Sequence, residues 1–434
     1  MNWLVLALVL LSSSIHAAAP SATADSGGPI KVEIVELGGK YQLLRGGKPY
    51  RIRGAGIDHT ELEAFASHGG NSFRTWAVDD GAEPAQQLLD RAHDLGLTVS
   101  LCLEFAPERL GFDYNDEVAV ARQKAETRAR VLAHKDHPAL LTWIVGNELN
   151  FDYKNSRVYD AVNDVAQMIH ELDPNHPVTT TIVGFDKRIV KDIRERAPDL
   201  DFISIQLYAD LLNLPKYIKA AGYTKPYFVT EWGGVGHWEV WKTKWGAPVE
   251  QTSSEKAANY ANSYLKVLQP YSDQAIGNYV FLWGQKQERT PTWYGMFTED
   301  GASTEAVDVM HFIWNDRWPQ NRAPRISPIS LNSKTAYDNI ILWHGKEYQA
   351  EVAIVDYDQD PIHYTWEVRH ESFSKEVGGD NEHTPERVNN LIADAQAAKI
   401  TMKAPQESGA YRLFVYAYDG KGHAAHANIP FYVR

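Results

Sequence analysis

The sequence predicts a (β/α)8 TIM barrel followed by a β-sandwich, and three observations carry that prediction. Eight apolar or β-branched runs recur along the first two thirds of the chain: Tyr50 to Ile57, Asn71 to Ala77, Leu97 to Phe105, Ala139 to Gly146, Val178 to Ile182, Asp201 to Tyr208, Pro226 to Glu231 and Ala275 to Trp283. Segments with helical apolar spacing separate them, among them "EPAQQLLDRAHDLG", "SRVYDAVNDVAQMIHELD" and "KRIVKDIRERAP", and "TEAVDVMHFIWN" follows the eighth run. Eight such alternations over about 265 residues have the size and order of a closed parallel barrel. Finally, composition breaks at "NDRWPQNRAPRISP", and short alternating segments take over beyond it. A doubly wound open sheet is the competing arrangement, but its phosphate-binding glycine fingerprint is missing.

In chain order, "MNWLVLALVLLSSSIHAAAPSA" has an apolar stretch too short to span a bilayer, followed by small residues, so residues 1–19 are expected to be a secretory signal. A secreted or periplasmic protein follows, with no membrane attachment after cleavage. "VEIVELGGKYQLLRGGKPYRIRGAG" alternates β-prone runs with Gly-Gly turns, a hairpin feeding the first barrel strand. The barrel domain with this hairpin is set at 30–318, a linker at 319–327 and the sandwich at 328–434. The sandwich segments "VDYDQDPIHYTWEV" and "VYAYDGKGHAAHANIPFYV" resemble immunoglobulin-like modules of the polycystic-kidney-disease or fibronectin type. Asp356, Asp358 and Asp360 alternate as calcium ligands would, although a polar turn explains them as well.

Composition narrows the function. A net charge of −13 removes the basic footprint that nucleic-acid binders need. Thirteen Trp and 22 Tyr exceed what a core requires and suit flat, sugar-like ligands. The single Cys102 lies in an apolar run, where a packed core thiol is expected. The sixteen His show no paired metal-ligand spacing, so neither a metal nor an organic cofactor is implied.

Catalytic groups of such a barrel sit where its strands end. Asn147 and Glu148 close the fourth run, "LLTWIVGNE", and a carboxylate at the end of a buried strand is costly unless it is paired or used. Other strand ends supply Arg74, Glu104, Tyr208, Glu231 and Trp283. Glu148 and Glu231 then face one another across the mouth, and paired carboxylates are what glycosidic cleavage requires: a neutral one to protonate the leaving oxygen and an ionised one to attack. Arg74 and the Tyr208 hydroxyl are placed to hold Glu231 as the carboxylate nucleophile, whose field would keep Glu148 protonated as the acid. A separation of roughly 5 to 5.5 Å would give retention of anomeric configuration. Glu104 lines a subsite or pairs with a barrel cation. His59 is expected to touch sugar or cap an element. Trp76, Trp232, Trp238 and Trp283 are candidate sugar platforms, Trp283 foremost, with core packing claiming some of the tryptophans.

"WIVGNE" resembles the Trp-x-x-Gly-Asn-Glu acid/base signature of clan A glycoside hydrolases, and "VTEWGG" resembles the strand-seven nucleophile segment of that clan. The resemblance implies acid/base, nucleophile and 2-hydroxyl-binding roles for Glu148, Glu231 and Asn147. The barrel is most similar to the family 2 catalytic domain, while a barrel with one C-terminal immunoglobulin-like module resembles the family 158 endo-β-1,3-glucanases. The expectation is a monomeric retaining β-glycosidase that cuts a polysaccharide in an aromatic-lined groove, an endo-acting β-1,3-glucanase first. A transglycosylase, a mannanase or galactosidase-like hydrolase, and a non-catalytic sugar-binding barrel are the alternatives.

Overall fold

The computed structural model describes residues 27–57, 61–79 and 83–434. The expected signal segment and His59 lie outside them.

The barrel strands are Gly54–Gly56, Ser72–Arg74, Thr98–Leu103, Leu140–Val145, a fifth broken at Thr180 into Val178–Thr179 and Thr181–Val183, Ile203–Gln206, Tyr227–Gly233 and Ala275–Phe281. All pair in parallel. The two halves of the fifth strand stand at the two ends of the sheet order, one paired with strand four and the other with strand six. Separated only by Thr180, they form one stave, and the ring closes through it.

The helices between strands follow local rules. Asp116 caps Glu117–His134 by accepting from the amides of Val118 and Ala119, and Asp186 does the same for Lys187–Arg196. Thr252 and Glu255 form a reciprocal capping box at Ser253–Ser263. Arg157–Leu172 turns an apolar stripe of Val158, Val162, Val165 and Ile169 onto the strands.

The hairpin Val32–Leu37 and Lys40–Arg45 closes the N-terminal end of the barrel, not its mouth. Val32 and Leu43 pack there with Ile52, Leu141, Phe202, Phe228 and Tyr279. Above this plug the interior holds a polar layer in which the Tyr279 hydroxyl bonds Ser72 and Ser100, and Thr142 donates to Ser100 at 2.9 Å. Every buried hydroxyl in that layer has a partner, which removes the desolvation penalty of placing it there.

Beyond the barrel, strands Ser330–Leu331, Glu347–Glu351 and Lys399–Lys403 form one sheet, and Ile341–Leu342, His363–His370, Gly409–Tyr418 and Ala424–Val433 form a second. Both sheets contribute to one core, where Leu331, Ala350 and Met402 meet Trp366, Leu413 and Phe431. The stretch read as a linker is held fast. The amide of Ala323 donates to Asp308, and Arg325–Ile326 is a short strand paired with Ile354–Val355. Asp356 accepts from the amides of Asp358 and Asp360, so the alternating aspartates form a turn.

Sandwich and barrel share a buried polar seam. Lys256 bonds Glu250, whose other oxygen accepts from Thr290 and from Asn428 of the sandwich. Arg412 of the sandwich bonds Glu371 and donates to the Pro248 carbonyl of the barrel at 2.7 Å. Burial pushes the Glu250 carboxyl up, but the charges of Lys256 and His426 outweigh it and bring the group down to about 2.

Candidate active site

Glu231 lies on the seventh barrel strand with 5% of its surface exposed. Four donors from the second and sixth strands and the residues just past them converge on its oxygens. Oε1 receives Arg74 Nη1 at 2.9 Å, Trp76 Nε1 at 2.8 Å and Gln206 Nε2 at 2.8 Å, while Oε2 receives the Tyr208 hydroxyl at 2.8 Å. Such charge-assisted bonds satisfy an ionised carboxylate and fix its orientation. Burial, then the charge of Glu231, hold the Tyr208 phenol far above its usual range, so it stays a donor. The Trp76 indole reaches its place because Gly56 has no side chain: a Cβ there would sit 2.8 Å from the ring.

Asn147 and Glu148 follow the fourth strand through a tight turn. Gly146 has φ +73° and Glu148 itself has φ +50°, a left-handed conformation that a glutamate adopts at a cost. The Glu148 amide is anchored by the Thr181 hydroxyl at 2.9 Å. Asn147 Oδ1 accepts from Arg74 Nη2 at 2.9 Å, Gln206 Nε2 at 3.0 Å and the Thr181 hydroxyl at 3.2 Å. Arg74 and Gln206 thus tie the two motif segments together. Burial, followed by the charge of Glu231 and countered by that of Arg74, pushes the Glu148 carboxyl up to about 8. Desolvation is the larger cause, and the neighbouring charge expected from the sequence comes second.

A second ring of charge surrounds Glu148. Glu288, on the loop after strand eight, adds to its upward shift, and Arg109, after strand three, opposes it. Glu288 pairs with Lys286 at 3.0 Å and with His237 at 3.5 Å. Burial pushes Glu288 up, yet these partners outweigh it and leave its carboxyl below the usual range.

Two expected sugar platforms do not face the mouth. Trp232 is fully buried against Tyr260 and Tyr264, because consecutive strand residues point to opposite faces and Glu231 takes the inner one. Trp283 is fully buried among Phe65, Phe297 and Trp314, with its indole donating to the Glu61 carbonyl. The eighth strand ends at Phe281, so it is Phe281 that meets Trp76, Tyr208 and Tyr294. Glu104 pairs with Arg130 at 3.3 Å, the cation-pairing alternative. Trp238 is 53% exposed and stands edge-on to Tyr208. Gln206 went unread, although "ISIQLY" places it two residues before Tyr208 and on the same face. Arg109, Lys286 and Glu288 sit on long loops with no periodic signal.

Residues 109–301 match the family model described as glycosyl hydrolases family 2, TIM barrel domain. The barrel resembles the family 2 catalytic domain. Solved structures similar to this family 2-like chain include a Bacteroides uniformis β-glucuronidase, at 14% identity and TM-score 0.50 over 93% of this chain and 48% of that one. A β-D-glucuronidase of Dictyoglomus thermophilum matches at 17% identity and TM-score 0.51, over 67% of this chain and 54% of that one. These likenesses concern the fold. An Arabidopsis thaliana protein named for mannan endo-1,4-beta-mannosidase is 30% identical over 103 residues, 23% of this chain and 25% of that protein. The chain therefore spans about half the length of these solved relatives and about a quarter of the Arabidopsis protein.

Proposed function

We propose that this protein is a retaining β-glycosidase acting on a β-linked glycan. Glu231 attacks the anomeric carbon, and Glu148 protonates the departing oxygen and then deprotonates the water that releases the sugar. The observation that carries the reading is the contrast between the two carboxyls: Glu231 sits under four donors, whereas Glu148 is pushed up to about 8 and so keeps its proton at neutral pH. Asn147 spends its carbonyl oxygen on Arg74, Gln206 and Thr181, which turns its amide NH2 toward a substrate hydroxyl.

A β-glucan, with β-1,3 linkage first, is the substrate class we favour, on the architectural resemblance of a barrel followed by one immunoglobulin-like sandwich. A β-mannan is the second reading, favoured by the name of the Arabidopsis relative. The leader-like N-terminus supports an exported protein. Incubation with laminarin, mixed-linkage glucan, mannan and aryl β-glycosides, with products sized and their first-formed anomer read by NMR, tests the proposal. The expected result is a β-anomer released from a β-glycan. An α-anomer, or no turnover of any member of the panel, would overturn it.

A further inference from the structure

The loop leaving the sandwich strand His363–His370 does not stay with its own domain. It runs to the catalytic face of the barrel and touches loops from widely separated staves. On the strand-eight side, Arg289 Nη1 and Nη2 donate to the carbonyls of Ser374 and Glu376, and the Arg289 amide donates to Glu382 at 2.9 Å. Lys286 of the same barrel loop donates to the Gly379 carbonyl at 3.5 Å. On the far side, Asp380 takes both arms of Arg109 after strand three, at 2.8 and 2.9 Å. Gly378 lies against Arg109 and against Phe151, three residues beyond Glu148; a Cβ built on it would stand 3.5 Å from the Phe151 ring.

Two consecutive residues, Gly379 and Asp380, therefore bond barrel loops whose parent strands are three staves apart, and Phe151 follows a strand four staves from the eighth, directly opposite in an eight-stave ring. A segment with those partners crosses the mouth. Its barrel contacts are themselves tied to the site. Glu108 accepts from the amides of Lys154 and Asn155, joining the loops after strands three and four, and Lys286 pairs with Glu288 beside Glu148.

We propose that the sandwich segment Ser374–Glu382 is a specificity-determining strap that bounds the substrate site on the leaving-group side, so that the site is a pocket admitting a chain end and not an open groove. This deepens the reading above and rests on it. The acid Glu148 marks the leaving-group side, and the strap lies against the residues that follow it. A bidentate Arg109 to Asp380 clasp, with neither partner fully exposed, holds one end. Glu382, held by Ser372 and Arg289, holds the other.

The test compares the full chain with a variant in which residues 375–381 are replaced by a short Gly-Ser bridge, and with Asp380→Ala, which loosens the clasp without shortening the chain. Each is assayed on a soluble β-glucan, on β-mannan and on an aryl β-glycoside of the preferred sugar. The parent is expected to release mono- or disaccharides from chain ends with little early loss of viscosity. The shortened variant should raise the ratio of kcat/KM on polymer to that on the aryl glycoside by about tenfold or more and shift its products toward internal cuts, with Asp380→Ala in between. A parent that cuts internally, or variants that keep the parent's melting transition and leave this ratio unchanged or lower, would overturn the strap. If the bridge variant does not fold, the Asp380→Ala ratio decides. A parent that turns over no glycoside overturns the proposed function and the strap with it, whereas an unchanged ratio in an active parent overturns the strap alone.

Discussion

Arg74 Nη1 lies 2.9 Å from Glu231 Oε1, with the guanidinium closed to solvent and the carboxylate nearly so, across 157 positions of sequence. The same guanidinium bonds Asn147, so one cation sets the geometry of both motif segments. Two charges so deeply placed are costly to desolvate, and the pair persists because further hydrogen bonds satisfy what the ion pair leaves over.

Arg74→Met leaves Glu231 buried without its counter-charge. The expected result is a loss of about 3 to 5 kcal/mol in unfolding free energy, together with a collapse of kcat. Urea denaturation checks the first and turnover of an aryl β-glycoside the second. Glu231→Ala removes the proposed attacking group and should reduce kcat by about four orders of magnitude or more with the sugar still bound.

In the proposed mechanism Glu148 sets the alkaline limb. Protonated below about 8, it can act as an acid through neutral pH, so the rate should fall as pH rises through that value. Glu148→Gln should abolish that limb and cost about 100- to 10,000-fold on substrates with poor leaving groups, and far less on activated aryl glycosides. Stability carries the opposite signature. A carboxyl whose folded value lies above its unfolded one weakens the fold progressively as pH rises from about 4.5 to about 8, so Glu148→Gln should raise the melting temperature most above pH 8. An equal gain at pH 4 and pH 9 would refute the shift.

Trp76→Phe and Tyr208→Phe each delete one 2.8 Å donor to Glu231 and leave an aromatic ring in place, smaller than the indole in the first case. A bond to a charged group contributes about 1.5 to 3 kcal/mol, so each variant should lose about 10- to 100-fold in kcat/KM. Intermediate trapping with a slow 2-fluoro glycoside would show whether the loss falls on the glycosylation step.

Trp238 and Trp283 should separate cleanly. Trp238→Ala, at an exposed edge of the site, is expected to raise KM on oligosaccharides several-fold with little change in melting. Trp283→Ala opens a core cavity and should cost about 3 to 5 kcal/mol of stability with KM preserved in whatever fraction folds.

The seam between barrel and sandwich predicts a single unfolding transition for the two units. Glu250 is depressed to about 2, so its stabilisation is complete above its unfolded value near 4.5 and is lost as pH falls through about 2. Glu250→Gln strands Lys256 and should lower the melting temperature at pH 7 while flattening the acid dependence; calorimetry between pH 2 and pH 7 reads both.

Much of this was legible in the chain. Buried strand ends carrying "GNE" and "TEW", with Arg74 and Tyr208 at neighbouring ends, located the carboxyl pair and its donors, because in a parallel barrel the end of every strand points to the same face. Period-two alternation was equally available at two positions where it was not applied: it turns Trp232 away from the mouth and brings Gln206 to it. Trp283 failed for a different reason, since the strand stops two residues earlier and the chain turns its indole into the core.

By itself, then, the sequence determined which residues could do chemistry and on which face of the barrel they would stand, through local pattern and the direction of strands. Tertiary structure alone decided how those residues are tuned and enclosed. Desolvation of Glu148, the Glu288 and Arg109 charges around it, and the Asp380 clasp arise from groups far apart in the chain or on aperiodic loops, and burial and Coulomb energy depend on distance in space, which local pattern does not encode.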